Sequence, residues 1–113
     1  MSLPLPKGIQ VLVATEPVDL RKSFDGLAAV AREILRQDPM SGHLFVFRNR
    51  AGHRCKALLW DRTGWLIIYK RLESGRFRFP VAEGAAVEVD AEQLRMLLDG
   101  IELGVRVRRR AAP

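Results

Sequence analysis

Three groups of side chains are spaced in a way that could do chemistry, and only one of them holds up. His43, His53 and Cys55 lie close together in the chain, but the intervals suit no standard zinc site and a fourth ligand is missing. Cys55 is the single cysteine and reads as a small core residue rather than a nucleophile. Metal-dependent nucleases and strand transferases gather carboxylates, and here only Asp19, Asp25 and Asp61 are specially placed. Asp19 reads as a helix cap and Asp61 as a turn residue. Asp25 lies one helical turn from Arg21 and Lys22 and can pair with them. No glycine-rich phosphate loop is present. The residues therefore support no catalytic group, no metal and no cofactor.

The third group is cationic and aromatic. Residues 48–78 carry nine basic and two acidic side chains, whereas 79–105 carry one and six, and 106–113 carry four and none. Residues 1–47 are balanced at five each. Both Trp, the single Tyr and four of the five Phe fall between Phe45 and Pro80. A net charge of +6 distributed this way points to a polyanionic partner. Aromatic rings between cations add surfaces on which unpaired bases can stack.

The elements that must position this group read as a meander. Phe45–Phe47, Lys56–Asp61, Trp65–Glu73 and Arg76–Pro80 are short apolar and aromatic runs separated by Gly, Asp, Asn and Ser. Two-residue loops at Arg62-Thr63 and Glu73-Ser74, with Phe47 opposite Cys55, fix the faces by alternation. One face then collects Phe45, Phe47, Cys55, Ala57, Leu59, Leu66, Ile68, Phe77 and Phe79. The other collects Arg48, Arg54, Lys56, Leu58, Trp60, Trp65, Ile67, Tyr69, Arg71, Arg76 and Arg78. Lys70 lands among the apolar side chains and is expected to snorkel at the sheet edge. Arg54, Lys56, Arg76 and Arg78, with Tyr69, Trp60 or Trp65 among them, are expected to share one exposed basic face, because a core cannot hold four unpaired cations.

Upstream, Ile9–Ala14 reads as a strand at or next to a sheet edge. A helix of about four turns is predicted from Asp19, its stripe formed by Leu20, Phe24, Leu27, Ala28, Ala31, Ile34 and Leu35. That stripe is the natural cover for the apolar sheet face. Asp38-Pro39 ends the helix. Downstream, Ala86–Val89 reads as a short strand, and Asp90 with Gln93 forms a capping box for a second helix carrying Leu94, Met96, Leu97 and Leu98, stopped at Gly100. The fold class expected is α+β: an antiparallel β-meander sheet with one long helix packed on one face and a shorter C-terminal helix. Residues 1–105 form a single domain, and 106–113 form a basic C-terminal tail. No apolar run approaches the ~20 residues of a membrane helix. A lone cysteine suits a reducing, cytoplasmic setting.

The chain resembles the accessory protein family of insertion-sequence sixty-six elements, TnpB, which is distinct from the RNA-guided nuclease of the same name. The resemblance covers about Pro4 to Val107. It rests on Asp19-Leu20-Arg21-Lys22-Ser23-Phe24-Asp25-Gly26-Leu27, on Ser41-Gly42-His43-Leu44-Phe45-Val46-Phe47, and on Lys56, Leu58, Trp60-Asp61 and Gly64. It continues through Lys70-Arg71-Leu72-Glu73, Gly75, Phe77, Pro80, Leu94, Leu97, Leu98, Gly100 and Ile101. Phe79 stands where the family commonly has Trp, and Leu20 where it commonly has Met. The resemblance implies a role beside a separate transposase in movement of the element, and it supplies no catalytic residues.

The reading that joins residues and resemblance is a non-catalytic transposition accessory protein that binds DNA. The nucleic-acid-binding candidates are Arg48, Arg50, Arg54, Lys56, Trp60, Trp65, Tyr69, Arg71, Arg76, Arg78, Arg108, Arg109 and Arg110. The tail arginines would contact phosphates and read no bases. Arg21 and Lys22 are placed for phosphate or a partner protein. The transposase of the same element is an expected partner, RNA fits the same surface as DNA, and a homodimer is compatible with the sequence. The alternative reading is a protein–protein adaptor that binds the transposase without touching nucleic acid.

Overall fold

A computed structural model describes residue 5 and residues 7–103. Arg108, Arg109 and Arg110, and the basic tail expected there, lie outside the described residues. The order of elements is β1 (Val11–Ala14), α1 (Phe24–Glu33), β2 (Leu44–Arg48), β3 (Arg54–Asp61), β4 (Gly64–Arg71), β5 (Ala86–Val89) and α2 (Ala91–Leu98). One five-stranded sheet runs β4-β3-β2-β1-β5. The α+β class holds, with two departures. The sheet is mixed, because β1 pairs with β2 in parallel while the other neighbours are antiparallel. The chain returns through α1 to the same end before re-entering as β2, and such a crossover gives a parallel neighbour. The antiparallel meander is therefore β2-β3-β4 alone.

The second departure is the first helix, which is ten residues long rather than about four turns. Asp19 does not cap it. Its carboxylate takes the backbone N–H and the side chain of Arg21 in a separate turn, and Ser23 occupies the cap position. At the far end Arg36 adopts a left-handed backbone, φ 59°, and the Gln37 N–H returns to the Ala31 carbonyl. Gly usually fills such a position, and its absence hides this helix end from a sequence reading. The second helix is capped as its sequence dictates, with Asp90 accepting from Gln93 N–H and the Gln93 side chain accepting from Asp90 N–H.

Both faces of the sheet are covered. On one side Val11, Val13, Leu44, Val46, Cys55, Ala57, Val87 and Val89 pack with Leu94, Leu97 and Leu98 of α2 and with Phe77 and Phe79. On the other, Leu12, Ala14, Phe45, Phe47 and Leu58 pack with Leu20, Leu27, Ala28, Ala31 and Leu35 around α1. Phe24, expected in the helical stripe, is 42% exposed.

The register explains which face each residue takes. Phe47 pairs with Lys56 and Arg48 with Cys55, one residue away from the expected alignment. Asn49 sets this: its side-chain oxygen accepts the N–H groups of both Gly52 and Arg54, and Gly52 sits at φ 82°. A one-residue slip exchanges the two faces of a strand. Phe45 and Phe47 therefore lie under α1 rather than beside Cys55 and Ala57. The β3–β4 hairpin keeps the expected two-residue loop, pairing Asp61 with Gly64. Residues 76–80 form no strand. The Phe77 N–H bonds the Gly52 carbonyl, and the segment lies across the sheet with both Phe rings buried.

Lys70, the expected misfit, is resolved by α2. Its ammonium donates to the Leu98 carbonyl at 2.6 Å and lies 3.5 Å from the Asp99 carboxylate. A cation at a helix C-terminus meets unpaired carbonyls and the negative end of the dipole, so Lys70 ties the sheet edge to α2 instead of reaching into solvent.

Candidate nucleic-acid interface

The pairing of β3 with β4 sets Arg54 opposite Arg71, Lys56 opposite Tyr69, and Trp60 opposite Trp65. Directly opposed residues share a face, so these six side chains lie on the α1 side of the sheet. They do not act alike. Lys56 is buried, at 9% exposure. Its ammonium donates to the Lys22 carbonyl at 2.8 Å and stands 4.8 Å from the Tyr69 ring centre. A cation over an aromatic face is attracted by the ring quadrupole. Arg54 holds the other side, donating to the Tyr69 hydroxyl at 2.6 Å with its guanidinium 5.8 Å from the ring. Tyr69 is itself 50% exposed. The result is an open aromatic ring fixed between two cations.

The two Trp rings contact edge to face at 4.9 Å, next to the Asp61–Gly64 turn. Six residues of strand separate them from Arg54, a span of ~20 Å. Tyr69, and not Trp60 or Trp65, is the aromatic that stands among the cations.

Arg76 and Arg78 do not join that face. They alternate with the buried Phe77 and Phe79 and point outward from a segment packed on the α2 side. Arg48 also leaves the expected group: the register puts it with Cys55, its guanidinium 5.6 Å from the Phe79 ring. Burial draws the Arg48 pKa below the ordinary arginine value, with Glu16 opposing the shift. Arg50 stays exposed in the β2–β3 turn. What gathers is an end of the sheet rather than one face. Arg50 and Arg54 flank the β2–β3 turn, Arg71 pairs with Arg54, and the Arg76 side chain lies against Gly52. Arg71 is held by Glu73 at 2.7 Å. Among the described residues, Arg50, Arg54, Arg76 and Arg78 make no ion pair. Asn49, which sets this turn, is a contributor that the sequence reading misses; an Asn three residues before a Gly is its signal in the sequence.

The Asp19–Leu27 stretch joins this end from the helix side. Arg21 binds Asp19 and holds its carboxyl well below the usual range, at about 2. Lys22 presents its carbonyl to Lys56. A Cβ on Gly26 would come within 2.9 Å of the Lys22 Cβ, so glycine permits the turn that supplies this carbonyl. Gly→Ala inside a helix normally gains ~1 kcal/mol. Gly26→Ala is expected to lose stability instead, read as a lowered urea midpoint.

The His, Cys and carboxylate candidates diverge. The Nδ1 atom of His43 accepts from Gln10 N–H, His53 lies beside Asn49, and Cys55 is buried. Among the described residues no group of three or more His, Cys, Asp or Glu side chains is placed to hold a metal ion, and no helix is long and apolar enough to cross a membrane. Burial pushes the Cys55 thiol up to about 12 from 9.0. An acid whose pKa rises on folding stabilises the fold below its unfolded value and loses that contribution as pH climbs. Cys55 is expected to stay unalkylated by iodoacetamide at mildly alkaline pH until denaturant is added, and stability is expected to fall between about pH 9 and 12.

The family described as IS66 Orf2 like protein matches residues 9–108. The chain belongs to this family. Membership ties it to insertion-sequence transposition, as the resemblance implied. Two curated relatives come from Sinorhizobium fredii (strain NBRC 101917 / NGR234). Uncharacterized protein y4hO is 41% identical over 100 residues, covering 88% of this chain and 87% of that one. Uncharacterized protein y4jC is 36% identical over 104 residues, covering 92% and 88%. No solved structure gives a significant match.

Proposed function

We propose that this IS66 Orf2-like protein is a non-catalytic transposition factor that binds DNA of its element through the basic end of its sheet and works with the element's transposase. The observation that carries the reading is Tyr69, half exposed and fixed between Arg54 and Lys56, at the end of the sheet where Arg50 and Arg76 make no ion pair among the described residues. Exposed cations attract phosphates, and an exposed ring among them offers a stacking surface to an unpaired base. A rim takes the place of one flat cationic face. Arg50, Arg54, Arg76 and Arg78 supply charge, Tyr69 supplies the ring, and Lys56 acts by holding Tyr69 rather than by touching a phosphate. Arg108, Arg109 and Arg110 would bind further phosphates without base preference.

The test is a salt series of binding to element-end duplex, the matching single strand and an RNA of the same sequence. Affinity that falls steeply with salt supports phosphate contact, and the ranking of the three ligands identifies the preferred form. No binding to any of them, with retention of the transposase by the same protein, would replace this reading with that of an adaptor.

A further inference from the structure

Strand β4 is one edge of the sheet and β5 the other. The two are protected unequally. Strand β5 has four residues, and short edges resist pairing. Strand β4 has eight residues, aligned without a bulge against β3 over eight consecutive pairs. It contains no proline, and its central run Trp65–Tyr69 carries no charge. Lys70 turns inward to α2. Leu66 and Tyr69 are each 50% exposed. Lysines, prolines and bulges are the devices that keep sheet edges apart, and the centre of β4 uses none of them.

The backbone groups that face outward follow from the hairpin. A two-residue loop closes on a hydrogen-bonded pair, here Asp61–Gly64, and the pairs alternate from there. Trp65, Ile67, Tyr69 and Arg71 therefore turn their N–H and C=O groups away from β3. Among the described residues these groups meet no partner.

We propose that β4 is a dimer interface, in which two copies of this chain pair antiparallel through this edge about a two-fold axis at Ile67. A two-fold axis normal to the sheet keeps each face on its own side, so odd residues must meet odd and even meet even. The outward hydrogen-bonding groups impose the same parity. Centring on Ile67 sets Trp65 opposite Tyr69 of the second copy and Leu66 opposite Ile68, while Lys70 meets Gly64 and Arg71 meets the loop residue Thr63. Every central pair is then apolar or aromatic, and no two cations oppose each other. The neighbouring register, centred on Ile68, would set Leu66 against Lys70 and Trp65 against Arg71. The other neighbour, centred on Leu66, would set Arg62 against Lys70. Of these three alignments only the one at Ile67 opposes no cation to another and leaves none against an apolar side chain of the strand, which is why a second copy, rather than a foreign strand, is the occupant. The interface joins two sheets into one of ten strands and sets the two basic ends on opposite flanks of the assembly.

The experiment is sedimentation equilibrium of the full chain without nucleic acid, so its outcome is independent of DNA binding. The wild-type protein is expected to form a dimer. Leu66→Lys is expected to raise the dissociation constant about tenfold or more, while the melting temperature measured at concentrations where both proteins are monomeric stays unchanged, since the replaced side chain is exposed in the single chain. Register is read by mixing Leu66→Cys with Ile68→Cys under oxidising conditions. The mixture should give a cross-linked dimer and neither variant alone should, because opposed non-hydrogen-bonded residues stand ~4.5 Å apart at Cα, within disulfide reach. A wild-type chain that stays monomeric into the ~100 µM range, a dimer indifferent to Leu66→Lys, or cross-linking by Ile68→Cys alone would each overturn the proposal.

Discussion

Replacing Phe47 with alanine is expected to cost about 3–5 kcal/mol of stability. Phe47 is fully buried between the sheet and α1, among Leu58, Leu27 and Ala31. Its removal leaves a cavity that a sheet and a helix, each tied elsewhere, can close only in part. For a domain near this size each kcal/mol moves the melting temperature by roughly 4–8 °C, so the midpoint should drop by about 15 °C or more. Phe24→Ala is the matched control. It is the same change on the helix itself, at a ring that is 42% exposed, and should cost less than ~1.5 kcal/mol. Urea unfolding followed by Trp fluorescence measures both. A Phe24 effect as large as that of Phe47 would show that α1 turns a different side to the sheet.

The contrast between these two residues shows how far the sequence can be read. Period-two alternation in β3 and β4 and the loop at Arg62-Thr63 correctly place Lys56 with Tyr69 and Trp60 with Trp65. The capping box at Asp90 and the strand before it are equally legible, because local hydrogen bonds determine them. Failures come where one long-range choice decides. Whether Phe47 faces Cys55 or Lys56 depends on how Asn49 folds the turn, and that choice moves Phe45, Phe47 and Arg48 together. Residues 76–80 have a strand's alternation, yet Phe77 and Phe79 bury themselves across the sheet, and alternation alone cannot tell a ladder from an overlying segment. The helix stripe reads as longer than α1 because Leu20 and Leu35 are buried too, from turns at either side of it. Lys70 is a misfit only until α2 brings the Leu98 carbonyl to it.

Replacing both Arg76 and Arg78 with alanine is expected to change nucleic-acid binding far more than stability. Each side chain is exposed and makes no ion pair among the described residues, so neither holds the fold. The phenyl rings beside them are what anchor the segment, buried against α2 and the sheet. The melting temperature should therefore stay within about 2 °C of wild type, as surface changes away from caps and cores usually allow. Binding to DNA should respond strongly. Each phosphate that a cation no longer neutralises lowers the slope of log affinity against log salt by about 0.9. If both arginines meet phosphates as proposed, removing them flattens the slope by about 2 and weakens binding tenfold or more at moderate salt. Lys56→Met is the informative partner variant. Lys56 supports Tyr69 from within and donates to the Lys22 carbonyl, so its loss should cost stability while leaving the salt slope nearly intact. A slope unchanged by the double arginine replacement, with retention of the transposase abolished instead, would make this rim a protein-docking surface and remove DNA from the proposed function.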